Sequence, residues 1–169
     1  AVDEAQVREV IGSFVGGYDQ IPPMYSALKV NGKKLYELAR AGKEVERQAR
    51  HVDLPAIEIL EIRLPVVKFR VECSKGTYIR SLCADIGEKL GCGGTMQSLV
   101  RTRVGEFRLT DALTLTQLQE LRDTDRLEEA LLPTDRIFAD FNAVHVEEKW
   151  RKLIDNGNAF YPGQTMEQT

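Results

Sequence analysis

The chain has 169 residues, with 23 Lys and Arg against 26 Asp and Glu and a formal net charge of −3. That length holds one ordinary domain, or one and part of a second, and the acidic balance excludes a protein that grips nucleic acid by net charge alone. The charge is uneven, however. Residues 25–50 carry seven Lys/Arg against three Glu, residues 68–108 eight against four acids, and residues 111–140 three against eight, so a polyanion is drawn to the first two-thirds.

Asp3 is expected to cap a first helix whose apolar stripe is Val7, Val10, Ile11 and Phe14 and whose end is Gly16-Gly17. Residues 18–23 read as a loop, because Pro22-Pro23 can continue neither a helix nor a central strand. Residues 24–30 read as extended, and Asn31-Gly32 as a two-residue turn. Leu35, Leu38 and Ala39 mark a short helix stopped by Gly42, with Lys33, Tyr36 and Arg40 on one side of it. Residues 52–64 alternate apolar and polar with a phase slip near Ala56, where a bulge or bend is expected. After Pro65, Val67, Phe69, Val71 and Cys73 alternate with Lys68, Arg70 and Glu72, the pattern of a strand with one buried face. The two stretches are predicted to pair antiparallel.

Ser74-Lys75-Gly76 breaks the alternation. From there Ile79, Leu82, Cys83, Ile86 and Leu90 recur at three- and four-residue steps, as on one face of a helix, with Thr77 as its N-cap and Gly91 as its stop. Tyr78 and Arg80 are thus expected in the first turn of a helix that follows a strand, a ring and a fixed charge at the rim of a sheet. Residues 95–109 read as extended, residues 114–122 and 126–132 as short helices, and residues 147–156 as a last helix bearing Trp150, Leu153 and Ile154. The sequence then stops at Thr169 with no strand to pack that helix, and reads as truncated. The fold class expected is α+β, a mixed and mostly antiparallel sheet with helices packed on it.

Cys73, Cys83 and Cys92 are odd in number and form no CxxC pair, which argues against a disulfide framework and against a zinc site. No metal is expected. Cys73 and Cys83 fall on apolar faces and are read as buried thiols. No leader and no membrane-length apolar run stand out, so the expected location is cytoplasmic, with no membrane partner.

Two long stretches resemble a known family. Residues 21–42, IPPMYSALKVNGKKLYELARAG, and residues 73–80, CSKGTYIR, followed by DIGEKLG at 85–91 and LVR at 99–101, are similar to the catalytic domain of the bacterial tRNA pseudouridine synthase B (TruB-type) family. The match runs over roughly residues 5 to 135, in the right order. The resemblance implies residues 1–140 as a C-terminal part of the catalytic domain, incomplete, and residues 141–169 as a linker and the start of a PUA-like RNA-binding domain. It implies an isomerase that turns a uridine of the tRNA T-arm out of the RNA and rejoins it as pseudouridine, with no cofactor. Tyr78 matches a catalytic tyrosine that stacks on the extruded base and can take its C5 proton. Arg80 matches an arginine that orients the catalytic aspartate, and Leu99 a pocket residue that excludes water. Lys29, Lys33, Lys34, Lys75, Arg101 and Arg103 are candidate phosphate contacts.

The family's aspartate lies in a GTLDP-like motif that these residues do not contain. The chain alone is therefore expected to be inactive, and an RNA-binding module without catalysis is the alternative reading. Blander roles stand beside each residue: Tyr78 as half-buried packing, Arg80 as a partner of Asp85 or Glu88 on its own helix, Leu99 as core. A thiol enzyme based on Cys73 or Cys83 lacks a base, since His51 and His145 lie in unrelated segments. With part of the sheet missing, Val67, Phe69 and Val71 are expected to be uncovered and to favour self-association.

Overall fold

A computed structural model describes residues 2–159, 161 and 163. The chain divides into two compact units, Ala1–Leu99 and Val100–Thr169. Together they form an α+β protein of short helices and small antiparallel sheets.

The first unit opens with α1 (Glu4–Gly12). Asp3 caps it as expected: its carboxylate accepts from the Gln6 N–H at 2.9 Å, and the Gln6 side chain accepts from the Asp3 N–H at 3.0 Å. This reciprocal pair satisfies two donors that the helix itself cannot. The helix stops at Gly12, four residues before the Gly16-Gly17 pair expected to end it. Residues 18–20, read as loop, form a strand, β1 (Tyr18–Gln20). Asn31 and Gly32, with φ of 50° and 79°, turn β2 (Lys29–Val30) into β3 (Lys33–Lys34), the left-handed geometry of a tight hairpin turn. Residues 24–27 are bent rather than extended. Next come α2 (Leu35–Arg40) and β4 (Arg50–Val52), which pairs antiparallel with β1.

β5 (Ala56–Arg63) and β6 (Val66–Glu72) form the expected antiparallel hairpin. The bulge sits at Leu60, not at Ala56: Ile59 faces Phe69 and Glu61 faces Lys68, leaving Leu60 between them. That extra residue shifts the phase, so Ile57, Ile59 and Ile62 share one half-buried face although their spacing is not regular. Near Ala56 the sequence slip is the gap between two strands, where Leu54 is fully buried.

The inward face of the hairpin, with Val67, Phe69 and Val71 on β6, packs on a core of Val7, Ile11 and Phe14 from the first helix and its end, Leu54, and Leu82 and Ile86 from α3 (Ile79–Lys89). Each such aliphatic side chain contributes about 1.5–3 kcal/mol when fully buried. The face expected to need a second chain is thus covered by α1 and α3 of the same chain, and the support it lent to self-association is absent. Cys73, expected to be buried, is exposed at the end of the strand. Cys83 lies half-buried on α3, and burial pushes its thiol pKa up.

After α3 the chain folds back. The N–H groups of Cys92 and Gly93 both donate to the Gly87 carbonyl, at 3.1 and 3.0 Å. A Cβ on Gly87 would lie 2.1 Å from the Gly93 carbonyl carbon and the Gly94 nitrogen, and one on Gly94 would lie 2.3 Å from the Cys83 oxygen. Backbone meets backbone here, so neither position tolerates a side chain.

In the second unit, the stretch expected to be extended is a small hairpin, β7 (Arg103–Val104) and β8 (Phe107–Arg108). α4 (Leu115–Asp123) is capped by Thr114 and Gln117. Residues 127–130, 134–138 and 148–150 are 3₁₀ turns, and α5 (Arg151–Asp155) is short. The helices expected over 126–132 and 147–156 are therefore fragmentary. No described residue of this unit is buried; Leu115 and Phe141 are 86% and 73% exposed. Among the described residues, no helix is long and apolar enough to cross a membrane.

Two measurements check this packing. Gly87→Ala should lower the urea-unfolding free energy by about 2–3 kcal/mol, whereas Gly12→Ala, with no atom near its added Cβ, should raise it by about 0.5 kcal/mol. An aromatic disulfide reagent at pH 8 should label Cys73 and Cys92 quickly and Cys83 slowly, because a buried thiol offers little thiolate.

Candidate functional site

The turn after β6 sets up the site. Ser74 is held to Asp53 by two bonds: its N–H donates to the Asp53 carbonyl at 2.9 Å, and its hydroxyl accepts from the Asp53 N–H at 3.0 Å. The Thr77 hydroxyl donates to the Ser74 carbonyl at 2.9 Å. Thr77 is therefore occupied in the turn and is not the N-cap. The N-cap is Tyr78, in extended backbone with φ −100° and ψ 105°, and its side chain makes no capping bond. Arg80 is in the first helical turn, as expected.

Three residues of the segment 20–25 reach this helix start. Gln20 Oε1 accepts from the Tyr78 N–H at 2.8 Å, and Gln20 Nε2 donates to the Tyr78 carbonyl at 3.1 Å. The Ser81 hydroxyl donates to the Ile21 carbonyl at 3.2 Å. Arg80 Nη2 donates to the Tyr25 carbonyl at 3.1 Å. The two stretches that carry the resemblance are thereby joined, through residues 55 apart in sequence.

Arg80 is exposed and, among the described residues, pairs with no carboxylate. Its alternative partner on the same helix, Asp85, accepts instead from the Tyr18 hydroxyl at 2.6 Å. Burial and that bond to Asp85 hold the Tyr18 phenol well above the ordinary tyrosine range, so it stays protonated and donating. Tyr78 is half-buried. Tyr25 is 57% exposed. A planar cation with spare donors can take a carboxylate.

The other expected residues are spread out. Lys75 is exposed at the turn before Tyr78, and Lys29 and Lys33 are exposed on the β2–β3 hairpin. Lys34, not Lys33, lies over the Tyr36 ring, 5.4 Å from its centre, with Arg40 at 5.5 Å. Leu99 is 56% exposed, which rules out the core role, and it stands outside the hydrogen-bonded junction. Arg101 and Arg103 are exposed in the second unit. A depression lined by Ile21, Glu44, Val45, Glu46 and Arg47 borders the same loop; Tyr78 and Arg80 do not line it. Among the described residues no group of His, Cys, Asp and Glu could hold a metal ion.

Sequence reasoning missed Tyr18, Gln20, Tyr25 and Asp85 as a group. Tyr25 lay inside the first matched stretch and Asp85 inside the second, but nothing local pointed Gln20 at a helix start 58 residues away.

Residues 1–79 match the TruB family pseudouridylate synthase (N terminal domain), and residues 80–139 match the tRNA pseudouridylate synthase B C-terminal domain. The chain is 51% identical over 156 residues to tRNA pseudouridine synthase B of Alkaliphilus oremlandii, covering 92% of this chain and 51% of that protein. It is 50% identical over 154 residues to the protein of that name from Clostridium acetobutylicum, covering 91% and 52%. It thus spans about half the length of the curated relatives it matches. Among solved structures it resembles a chain of a Cbf5-Nop10-Gar1 complex, with a TM-score of 0.72 and 29% identity over 93% of this chain and 45% of that one. It also resembles a chain of an H/ACA RNP bound to a substrate RNA containing 2′-deoxyuridine, with a TM-score of 0.69 and 26% identity over 94% and 44%. With family models matched over residues 1–79 and 80–139, the chain belongs to the TruB family of pseudouridylate synthases.

Proposed function

We propose that this chain is part of a tRNA pseudouridine synthase that isomerises a uridine in the T-arm of tRNA. The observation that carries the proposal is Arg80: an exposed guanidinium whose hydrogen bond among the described residues is to a carbonyl, next to Tyr78, where the two family stretches join. The names of the relatives support a tRNA substrate, and one structural neighbour is bound to a substrate RNA.

The reaction breaks the C1′–N1 bond of uridine, turns the base, and joins C1′ to C5. The proton leaves C5 and N1 ends protonated, so substrate and product are isomers and no cofactor enters. The target base must first leave the RNA stack. On this reading Tyr78 stacks on it and its phenol oxygen receives the C5 proton. Arg80 holds the catalytic aspartate ionised and oriented. That aspartate comes from polypeptide outside these 169 residues, which also completes the pocket around an otherwise open surface. Leu99 excludes water from it. Lys29, Lys33, Lys34, Lys75, Arg101 and Arg103 contact phosphates and set affinity rather than sequence. Residues 1–140 and 141–169 would divide into catalytic and PUA-like parts; residues 160, 162 and 164–169 of the latter lie outside the described residues. A cytoplasmic location follows from a tRNA substrate.

The 169-residue chain by itself should bind a T-arm stem-loop without releasing the C5 proton of its uridine; turnover by the purified chain would remove the need for an outside aspartate. In the whole synthase, Tyr78→Phe should lower kcat by about 100-fold or more with RNA affinity nearly unchanged, since the ring survives and the phenol oxygen does not. An equal loss in affinity would assign Tyr78 to binding.

A further inference from the structure

Gln20 is 2% exposed, yet it carries a primary amide. A buried amide persists only when its donors and acceptor are met. Here they are. Its oxygen takes the Tyr78 N–H at 2.8 Å, and its nitrogen donates to the Tyr78 carbonyl at 3.1 Å and to the Tyr18 hydroxyl at 2.6 Å. One side chain therefore holds both polar groups of a single residue, as a neighbouring strand would. The Tyr78 side chain makes no capping bond to its own helix, so this amide fixes the backbone from which the ring and, two residues on, the guanidinium project.

The amide could in principle flip, exchanging oxygen and nitrogen. The Tyr78 N–H and carbonyl oppose that, and Tyr18 adds a third constraint. Its hydroxyl spends its proton on the Asp85 carboxylate at 2.6 Å and so can only accept from Gln20. The nitrogen must face Tyr18, and the oxygen must then face the Tyr78 N–H. Asp85 lies on α3 itself, so the chain of bonds leaves the helix at its second turn and returns at its N-cap. β1 is held from behind by β4, with Gln20 opposite Arg50.

We propose that Gln20 is a positioning residue for the isomerisation: it aims Tyr78 and Arg80 by gripping the Tyr78 backbone, in an orientation that Tyr18 and Asp85 reinforce. This rests on the function proposed above. Misplacement of a reacting group by an ångström costs about 100-fold in rate, so loss of the grip should register in chemistry before binding.

The test uses the whole synthase and a T-arm stem-loop tritiated at the uridine C5, with the RNA-binding fraction of each preparation titrated first. Gln20→Met keeps the length and removes all three bonds. Tyr18→Phe leaves both bonds to Tyr78 and removes only the third, from the amide nitrogen to the Tyr18 hydroxyl. Per binding-competent enzyme, Gln20→Met should lower kcat by about tenfold or more, and Tyr18→Phe by a smaller factor, with KM and RNA affinity within about threefold of the parent. A purely structural role would lower the melting temperature but leave kcat per competent enzyme within about twofold, and that result overturns the proposal. So does a matching loss of affinity. If Gln20→Met fails to fold, Gln20→Glu, which keeps the shape and loses the amide donors to Tyr78 and Tyr18, decides on the same criteria. Failure of the parent itself to release tritium would instead overturn the function, and this inference with it.

Discussion

A helix start leaves its first N–H groups without partners, and most proteins place Ser, Thr, Asp or Asn there to satisfy them. This chain does so at Asp3 and at Thr114. It does not do so at α3, where Tyr78 holds the N-cap position and contributes no capping oxygen. The local preference is overridden, and Gln20, from a strand 58 residues earlier, takes the N–H of the N-cap residue itself. Departures of this kind from local consistency tend to mark functional positions. Everything at the candidate site hangs from that one amide: the ring comes from the residue it grips, and the guanidinium from the first turn behind it.

The rest of the first unit keeps this arrangement still. α3 is pinned by Leu82 and Ile86, both in the core with Val7 and Ile11. Its far end is locked by the close approach of Gly87 and Gly94. The hairpin behind it keeps a continuous apolar face only because Leu60 bulges out. Sites built on packed elements are placed more accurately than sites on loops. The second unit, without a buried side chain among the described residues, has no comparable frame, which is the physical reason to assign chemistry to residues 78 and 80 and only charge to Arg101 and Arg103.

Much of this was readable from the sequence, and the division is instructive. The Asp3 cap, the Asn31-Gly32 turn, the pairing of β5 with β6 and the helix after Thr77 depend on residues a few positions apart, and each appeared. The resemblance picked Tyr78 and Arg80, and the structure puts them beside the first matched stretch. What failed depends on distant partners. β1 is a strand only because residues 50–52 pair with it. The N-cap moved from Thr77 to Tyr78 because Ser74 engages the threonine and Gln20 the tyrosine. The bulge went to Leu60 because the register across from Phe69 and Lys68 decides it, not the alternation along one strand. Burial of Cys73 failed because the inward face ends with Val71, one pleat earlier.

The strongest physical argument for chemistry at this surface is an imbalance. The acids nearest Arg80 along its helix do not neutralise it. Asp85, five positions on and so turned to another side of the helix, is engaged by Tyr18, and the guanidinium is left with the Tyr25 carbonyl. A phenol is a poor reason to spend a carboxylate if the aim were stability alone, since an arginine would give it a charge-assisted bond. The arrangement makes sense if Asp85 serves to orient the Tyr18–Gln20 chain and Arg80 is kept open for an anion from outside. A carboxylate arriving there would meet a planar cation with unused donors, and would be held ionised without desolvating a second acid already in place.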